Sequence, residues 1–166
     1  MLPADPPHPT APLAGPGGAH VERLNALWKL SVRQGLTDAE RIRAMLAMAA
    51  DVLDMDLVVL GEFGEHYTAR YVSDRLGLFP EGTALMVEAV LCHGVHLSRE
   101  PSHIADLREH PQHAQHALMN RLGLRAYSGI PVSVGDDARW VLAFLRQRCD
   151  SPPGSVDIAY MELIAD

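Results

Sequence analysis

Leu122–Leu145 reads LGLRAYSGIPVSVGDDARWVLAFL, and the order of residue types in it decides the fold. The helix expected to precede it must stop at Gly123, because glycine most readily takes the positive φ that ends a helix. Tyr127 to Val134 predicts a strand and Trp140 to Arg146 a second, joined by a turn at Gly135-Asp136-Asp137. So short a connection makes the two strands antiparallel neighbours. Gly129 and Pro131 both fall in the first strand. Proline removes a ladder donor, which puts that position at an edge or a bulge.

Working outward, the same reading yields the other elements. A helix is expected from Pro111 to the residue before Gly123, since proline is tolerated at a first helical position. Val95–Leu97 and Ser102–Ala105 read as short strands about the Glu100-Pro101 turn. Thr83 can cap a helix running to Cys92 with Leu85, Met86, Ala89 and Val90 inward. Arg75–Gly82 reads as loop, and Leu57–Phe63 and Tyr67–Ser73 as strands. Thr37 with Glu40 forms a capping-box pattern opening a helix whose Ile42, Met45, Leu46, Ala49 and Leu53 share a face. A first helix spans about His20 to Gln34, with Val21, Leu24, Leu27, Trp28 and Ser31 near one stripe and Gly35 as its stop. Ser155 opens a last helix, still apolar at Ile158, Met161, Leu163 and Ile164. The order α-α-β-β-α-β-α-β-β-α, with adjacent hairpins, is α+β: a mainly antiparallel sheet with helices outside.

Residues 1–19 are rich in Pro, Gly and Ala and bury too little surface to offset ordering entropy, so they read as a flexible leader. Residues 20–166 then form one domain. With 21% charged and 48% apolar residues the balance is that of a soluble globular protein. No eighteen-residue apolar run spans a bilayer and no signal peptide opens the chain, so a cytoplasmic location without membrane contact is expected. A net charge of -7 with scattered arginines argues against a nucleic-acid surface. Cys92 and Cys149 form no CxxC pair, which excludes a Cys-rich zinc site and argues against a disulfide framework.

Leu122–Leu145 resembles the run of the GAF domain family in which a helix ends at Leu-Gly-Leu-Arg, a strand carries Gly-Ile-Pro-Val and a hairpin returns with an apolar strand. Leu91–Leu107 (LCHGVHLSREPSHIADL) is similar to the family's helix, short strand and Pro-Ser-His-Ile-Ala-Asp turn. The resemblance extends over about residues 20–166. It implies a PAS-related central antiparallel sheet of five to six strands flanked by helices. Val141 departs from it, since relatives often place a glycine there; altered local packing is expected.

The resemblance also implies a pocket under the helix before Gly123. On that geometry the candidate ligand-binding residues are Tyr71, Met86, Val90, Ile104, Asp106, Leu118, Met119 and Tyr127, with His113 and Arg121 as polar groups. Met86, Val90, Leu118 and Met119, at helical spacing, equally fit plain core. His110, His113 and His116 fall three apart on that expected helix, and His93, His96 and His103 flank the neighbouring strands. They would drift around a helix and no carboxylate or cysteine completes a ligand string, so neither metal nor haem is expected. A phytochrome-like bilin cysteine would fall at about Ala114, which cannot form a thioether, while Cys92-His93 lies on the preceding helix. No covalent bilin is expected. The region resembling the free methionine sulfoxide reductases, Phe79–Ala84, holds no cysteine, and a thiol redox enzyme would need Cys92 exposed and acidic.

The expectation is a non-enzymatic input domain that senses an unidentified small molecule, with the effector, a histidine kinase or diguanylate cyclase, elsewhere in a longer protein. The first and last helices would transmit the state and mediate a homodimer. The alternative is a ligand-free dimerisation or protein-interaction module. A cavity of a few hundred cubic ångströms would favour the sensor, and large side chains filling the pocket the alternative.

Overall fold

The β5–β6 hairpin organises the sheet in the computed structural model, which describes residues 16–149 and 151–166. β5 (Ala126–Val134) and β6 (Asp137–Arg146) pair antiparallel about a turn at Gly135-Asp136, where Gly135 has φ 61°. That sign of φ is what the first position of a two-residue hairpin turn requires. β6 pairs on its other side with β1 (Leu57–Phe63), β1 with β2 (Tyr67–Asp74), and β2 with the two-residue β3 (Ala84–Leu85). β4 (Ser102–Ile104) closes the opposite edge, pairing only with Tyr127–Gly129 of β5. The order is β3-β2-β1-β6-β5-β4, a six-stranded antiparallel sheet. Pro131 lies beyond the end of β4, so its missing donor breaks no ladder there.

Both faces of the sheet are buried, giving three layers. α1 (Pro16–Ser31), α2 (Asp38–Val52) and α5 (Ser155–Ala165) form one outer layer. Here Leu46, Ala49, Tyr160 and Met161 pack on Val58 and Phe144. α2 opens with the expected capping box, in which the Thr37 side chain accepts from Glu40 N–H and the Glu40 side chain accepts from Thr37 N–H. The other layer is thinner. It holds α3 (Cys92–Ser98), α4 (Ala117–Leu122) and single 3-10 turns at Val87–Ala89 and Leu107–Glu109. Asp74 anchors the loop after β2, its carboxylate accepting the N–H groups of Leu76, Gly77, Leu78 and Phe79.

Several expected elements differ. α1 starts at Pro16 rather than His20 and ends at Ser31, so residues 16–19 of the expected leader are helical; residues 1–15 lie outside the described residues. Val21, Leu24 and Trp28 face outward, not into the core. Thr83–Cys92 is not a helix, because β2 captures Ala84 and Leu85 as a strand before helical periodicity can be used. Val95–Leu97 is not a strand but the centre of α3, where Cys92 and Val95 at i, i+3 meet the sheet and Arg99 closes the helix at φ 59°. The helix expected from Pro111 begins only at Ala117, capped by the His116 ring; Gly123 ends it at φ 67°, as expected.

Two tyrosines occupy space that a side chain would normally fill. The phenol end of Tyr67 sits where a Cβ at Gly61 would lie, and the Tyr127 hydroxyl where one at Gly129 would lie, with Val95 Cγ2 3.0 Å from the same point. Gly61 pairs with Val141, which is fully buried, so the larger residue at 141 is accommodated beside a position without a side chain. Gly129→Ala is expected to destabilise the fold by about 1–3 kcal/mol through overpacking. In a Tyr127→Leu background the same change should cost clearly less, a coupling readable in urea denaturation as a double-mutant cycle.

Candidate functional site

Beneath α3 and α4, where the resemblance implies a pocket, the interior is filled. Tyr67, Phe79, Leu91, Cys92, Met119 and Tyr127 converge there and leave a cavity of about 30 Å³. Small-molecule sites start at about 300 Å³. The Tyr127 hydroxyl is buried beside the Cys92 thiol, and burial raises its pKa well above the usual phenol value, with the thiol adding to the rise. Burial likewise pushes the Cys92 thiol up to about 11, so it is neither exposed nor acidic. The condition for thiol chemistry at Cys92 is therefore not met.

Immediately outside lies an open cleft of about 400 Å³. α4 supplies one wall, with His116, Leu118 and Arg121; Leu85 at the end of β3 and Glu88 and Ala89 in the following 3-10 turn supply the other. Leu118 belongs to both spaces, packing against the core below and lining the cleft above.

The structure brings together five of the ten residues expected from the sequence. Val90, Leu118, Met119 and Tyr127 line the small cavity, and Arg121 joins Leu118 in the cleft. The others lie apart. Tyr71 faces the opposite layer, its ring beneath the Arg43 guanidinium 5.4 Å away. The cause is a bulge: Leu60 pairs with Tyr71 but Gly61 with Ala69, leaving Arg70 over. The phase set by Tyr67 and Ala69 thus passes to Val72, because one extra residue exchanges the faces of a strand. Met86 is 62% exposed. Ile104 is core but lines neither space. Asp106 binds Arg108 in a fork and accepts from the Cys149 thiol, and the Arg108 guanidinium holds its carboxyl well below the usual range. His113 stacks on His110 at 4.5 Å. Leu85, Glu88, Ala89 and His116 were not among the expected residues; the helix expected over Thr83–Cys92 concealed the first three.

The histidines are dispersed into packing roles. His96 stacks on Phe63 at 4.3 Å, and His103 Nδ1 meets Ser128 Oγ at 3.0 Å. His116 Nδ1 accepts from Met119 N–H at 3.5 Å. The segment from Pro111 to Gln115 is a run of turns rather than helix, and Ala114, where a bilin cysteine would fall, lies within it. Among the described residues no group of three or more His, Cys, Asp or Glu is disposed to hold a metal ion.

On the far layer, α1 and α5 present a second apolar surface. Val21, Leu24 and Trp28 on α1 are 53–66% exposed, and Val156 and Leu163 on α5 are also exposed. Leu24 and Leu163 line two adjoining grooves of about 160 and 510 Å³. Arg23–Asp157 at 2.6 Å and Tyr160 Oη donating to Arg23 O at 3.0 Å clamp the two helices together. Among the described residues no helix is long and apolar enough to cross a membrane.

A sheet with this order and flanking helices is a fold shared by sensory modules such as phytochromes and by an enzyme. The GAF domain model matches residues 39–166, and the chain belongs to the GAF domain family. A comparison with curated proteins finds no match. Similar solved structures include the GAF domain of an Acinetobacter phosphoenolpyruvate-protein phosphotransferase, at TM-score 0.67 and 14% identity over 88% of this chain and 87% of that one. The phycocyanobilin-bound GAF domain of a cyanobacterial phytochrome reaches 0.69 and 14%, over 86% and 89%. The free methionine-R-sulfoxide reductase of Neisseria meningitidis, in complex with its substrate, reaches 0.67 and 10%, over 90% and 84%. At these identities the likeness concerns the fold.

The burial of Cys92 and the half-exposure of Cys149 separate the two thiols. At pH 8 Ellman's reagent should modify Cys149 in the native protein within minutes and Cys92 only after denaturation; rapid modification of both would mean the interior is open.

Burial lowers the pKa of His96, His103, His113 and His116 below the usual 6.5, with His110 and His116 adding to the effect on His113. Groups whose folded pKa is depressed contribute stability that is present above the unfolded pKa and lost as pH falls through the folded value. Tm is therefore expected to hold from pH 8 to about 6.5 and to fall between 6.5 and 5, above the range where the carboxylates titrate. Differential scanning fluorimetry across that range checks it, and His103→Gln with His116→Gln should flatten the fall.

Proposed function

We propose that this chain is a regulatory input module of a cytoplasmic signalling protein, which reads a small molecule at the cleft beside α4 and delivers the result through α1 and α5. The effector would be a histidine kinase or a diguanylate cyclase, driven through α5. The observation that carries this reading is the exposed apolar face of Val21, Leu24, Trp28 and Leu163 on the two terminal helices, on the sheet face opposite the cleft. An apolar surface of this kind, rimmed by polar residues, marks an interaction site, and two-fold pairing makes one patch serve both partners. We take the partner to be a second copy of this chain.

The cleft and the terminal helices are connected through the segment that follows β6. Gln147, just after β6, donates from Nε2 to Leu122 O at the end of α4 (3.0 Å), and its own N–H is held by Asp56. A ligand that shifts α4 therefore acts on the connection leading to α5. It can shift a two-state equilibrium only by its differential affinity for the two states.

The filled interior favours a second reading, a ligand-free dimerisation module, since a 30 Å³ cavity admits no metabolite. Native mass spectrometry compared with the denatured mass separates the two. Extra mass lost on denaturation supports sensing, whereas a bare dimer supports the scaffold. For the shared part, sedimentation velocity should show a reversible dimer, and Leu24→Glu with Trp28→Glu should yield a folded monomer. A monomer for the parent chain at all concentrations up to 200 µM would remove the proposed output face.

A further inference from the structure

The cleft beside α4 carries two opposite charges that nothing in the described protein answers. Arg121 projects from α4 and Glu88 from the 3-10 turn facing it, and both line the cleft. Neither has an ion-pair or hydrogen-bond partner from its side chain among the described residues. What sets Arg121 and Glu88 apart is that both opposite charges line one cleft. Between Arg121 and Glu88 the lining is apolar, from Leu85, Ala89 and Leu118. His116, also lining the cleft, accepts through Nδ1 from Met119 N–H, which leaves Nε2 to carry the proton in the neutral ring.

We infer that the cleft takes a free α-amino acid with an apolar side chain, its carboxylate on Arg121, its ammonium on Glu88 and its side chain over Leu85, Ala89 and Leu118. This inference rests on the sensory reading and names its ligand class. A simple anion would satisfy Arg121 but face the Glu88 carboxylate. A simple cation would satisfy Glu88 but face the guanidinium. A zwitterion answers both, and charge-assisted hydrogen bonds to Arg and carboxylate groups are the strong ones. The cleft volume of about 400 Å³ stands near the lower end of small-molecule sites, suited to a metabolite of this size rather than to a dinucleotide.

The test is isothermal titration calorimetry of the whole chain with L-leucine, L-methionine and L-phenylalanine. Each is set against the analogues lacking one charge: 4-methylpentanoate and isopentylamine for leucine, and their equivalents for the other two. At least one amino acid should bind, with both of its single-charge analogues weaker by about tenfold or more. Arg121→Gln and Glu88→Gln, both at exposed positions, should keep the native circular dichroism spectrum and each lose about tenfold in affinity. Equal binding of a single-charge analogue, or affinity unchanged in either variant, would overturn the assignment. If no amino acid binds while native mass spectrometry detects another non-covalent small molecule, the amino-acid assignment fails and the sensory reading stands. If neither method detects a ligand, both fail.

Discussion

The phenol ends of Tyr67 and Tyr127 rest on Gly61 and Gly129, and much of the molecule follows from those two contacts. A sheet face that kept side chains at both glycines would push the rings outward and force α3 and α4 away from the strands. With no Cβ at either position the rings sink onto the backbone, and Cys92, Val95 and Met119 close over them. Close packing of this kind is unforgiving, because interiors hold few voids and pass strain to their neighbours. The bulge at Arg70 belongs to the same solution. It lets Tyr67 and Ala69 face this layer and then hands the phase to Val72, while Tyr71 turns to α2.

A filled interior leaves the rim as the place where a ligand could be met. On the proposed reading the side chains that sense or bind are those left around the closed core, in two sets on opposite faces of the sheet. One set is charged and concave, with Arg121 and Glu88 across an apolar floor. The other is apolar and grooved, formed by α1 and α5, which are clamped by Arg23, Asp157 and Tyr160 into one unit. The sheet lies between them, and the segment after β6 meets the end of α4 and the residue before β1 through Gln147.

The architecture was legible where local chemistry and tertiary need agree. Thr37 with Glu40, the β5–β6 hairpin, β1 and β2 as neighbours, and Gly123 as a stop all declare themselves within a few residues. The thin layer was not legible for the converse reason. Leu85, Met86, Ala89 and Val90 have helical spacing, but pairing of Leu85 with Tyr67 draws the chain into an edge strand. Val95 is β-branched, yet its burial against Gly129 and the stacking of His96 on Phe63 hold a helix there. Of the cleft, only Leu118 and Arg121, on the helix before Gly123, were legible. Glu88 was hidden by the mistaken helix, and Tyr71 was misassigned because no residue type announces a one-residue bulge.

The most direct measurement is a ¹³C-edited NOESY spectrum of the purified chain with specifically labelled tyrosine and glycine. Strong cross-peaks from the Tyr67 ring to Gly61 Hα and from the Tyr127 ring to Gly129 Hα, with slow ring flipping, are the expected result of the closed interior. Absent cross-peaks and rapidly flipping rings at both sites would mean that the tyrosines leave the core, that the pocket beneath α3 and α4 is open, and that recognition belongs there rather than at the rim.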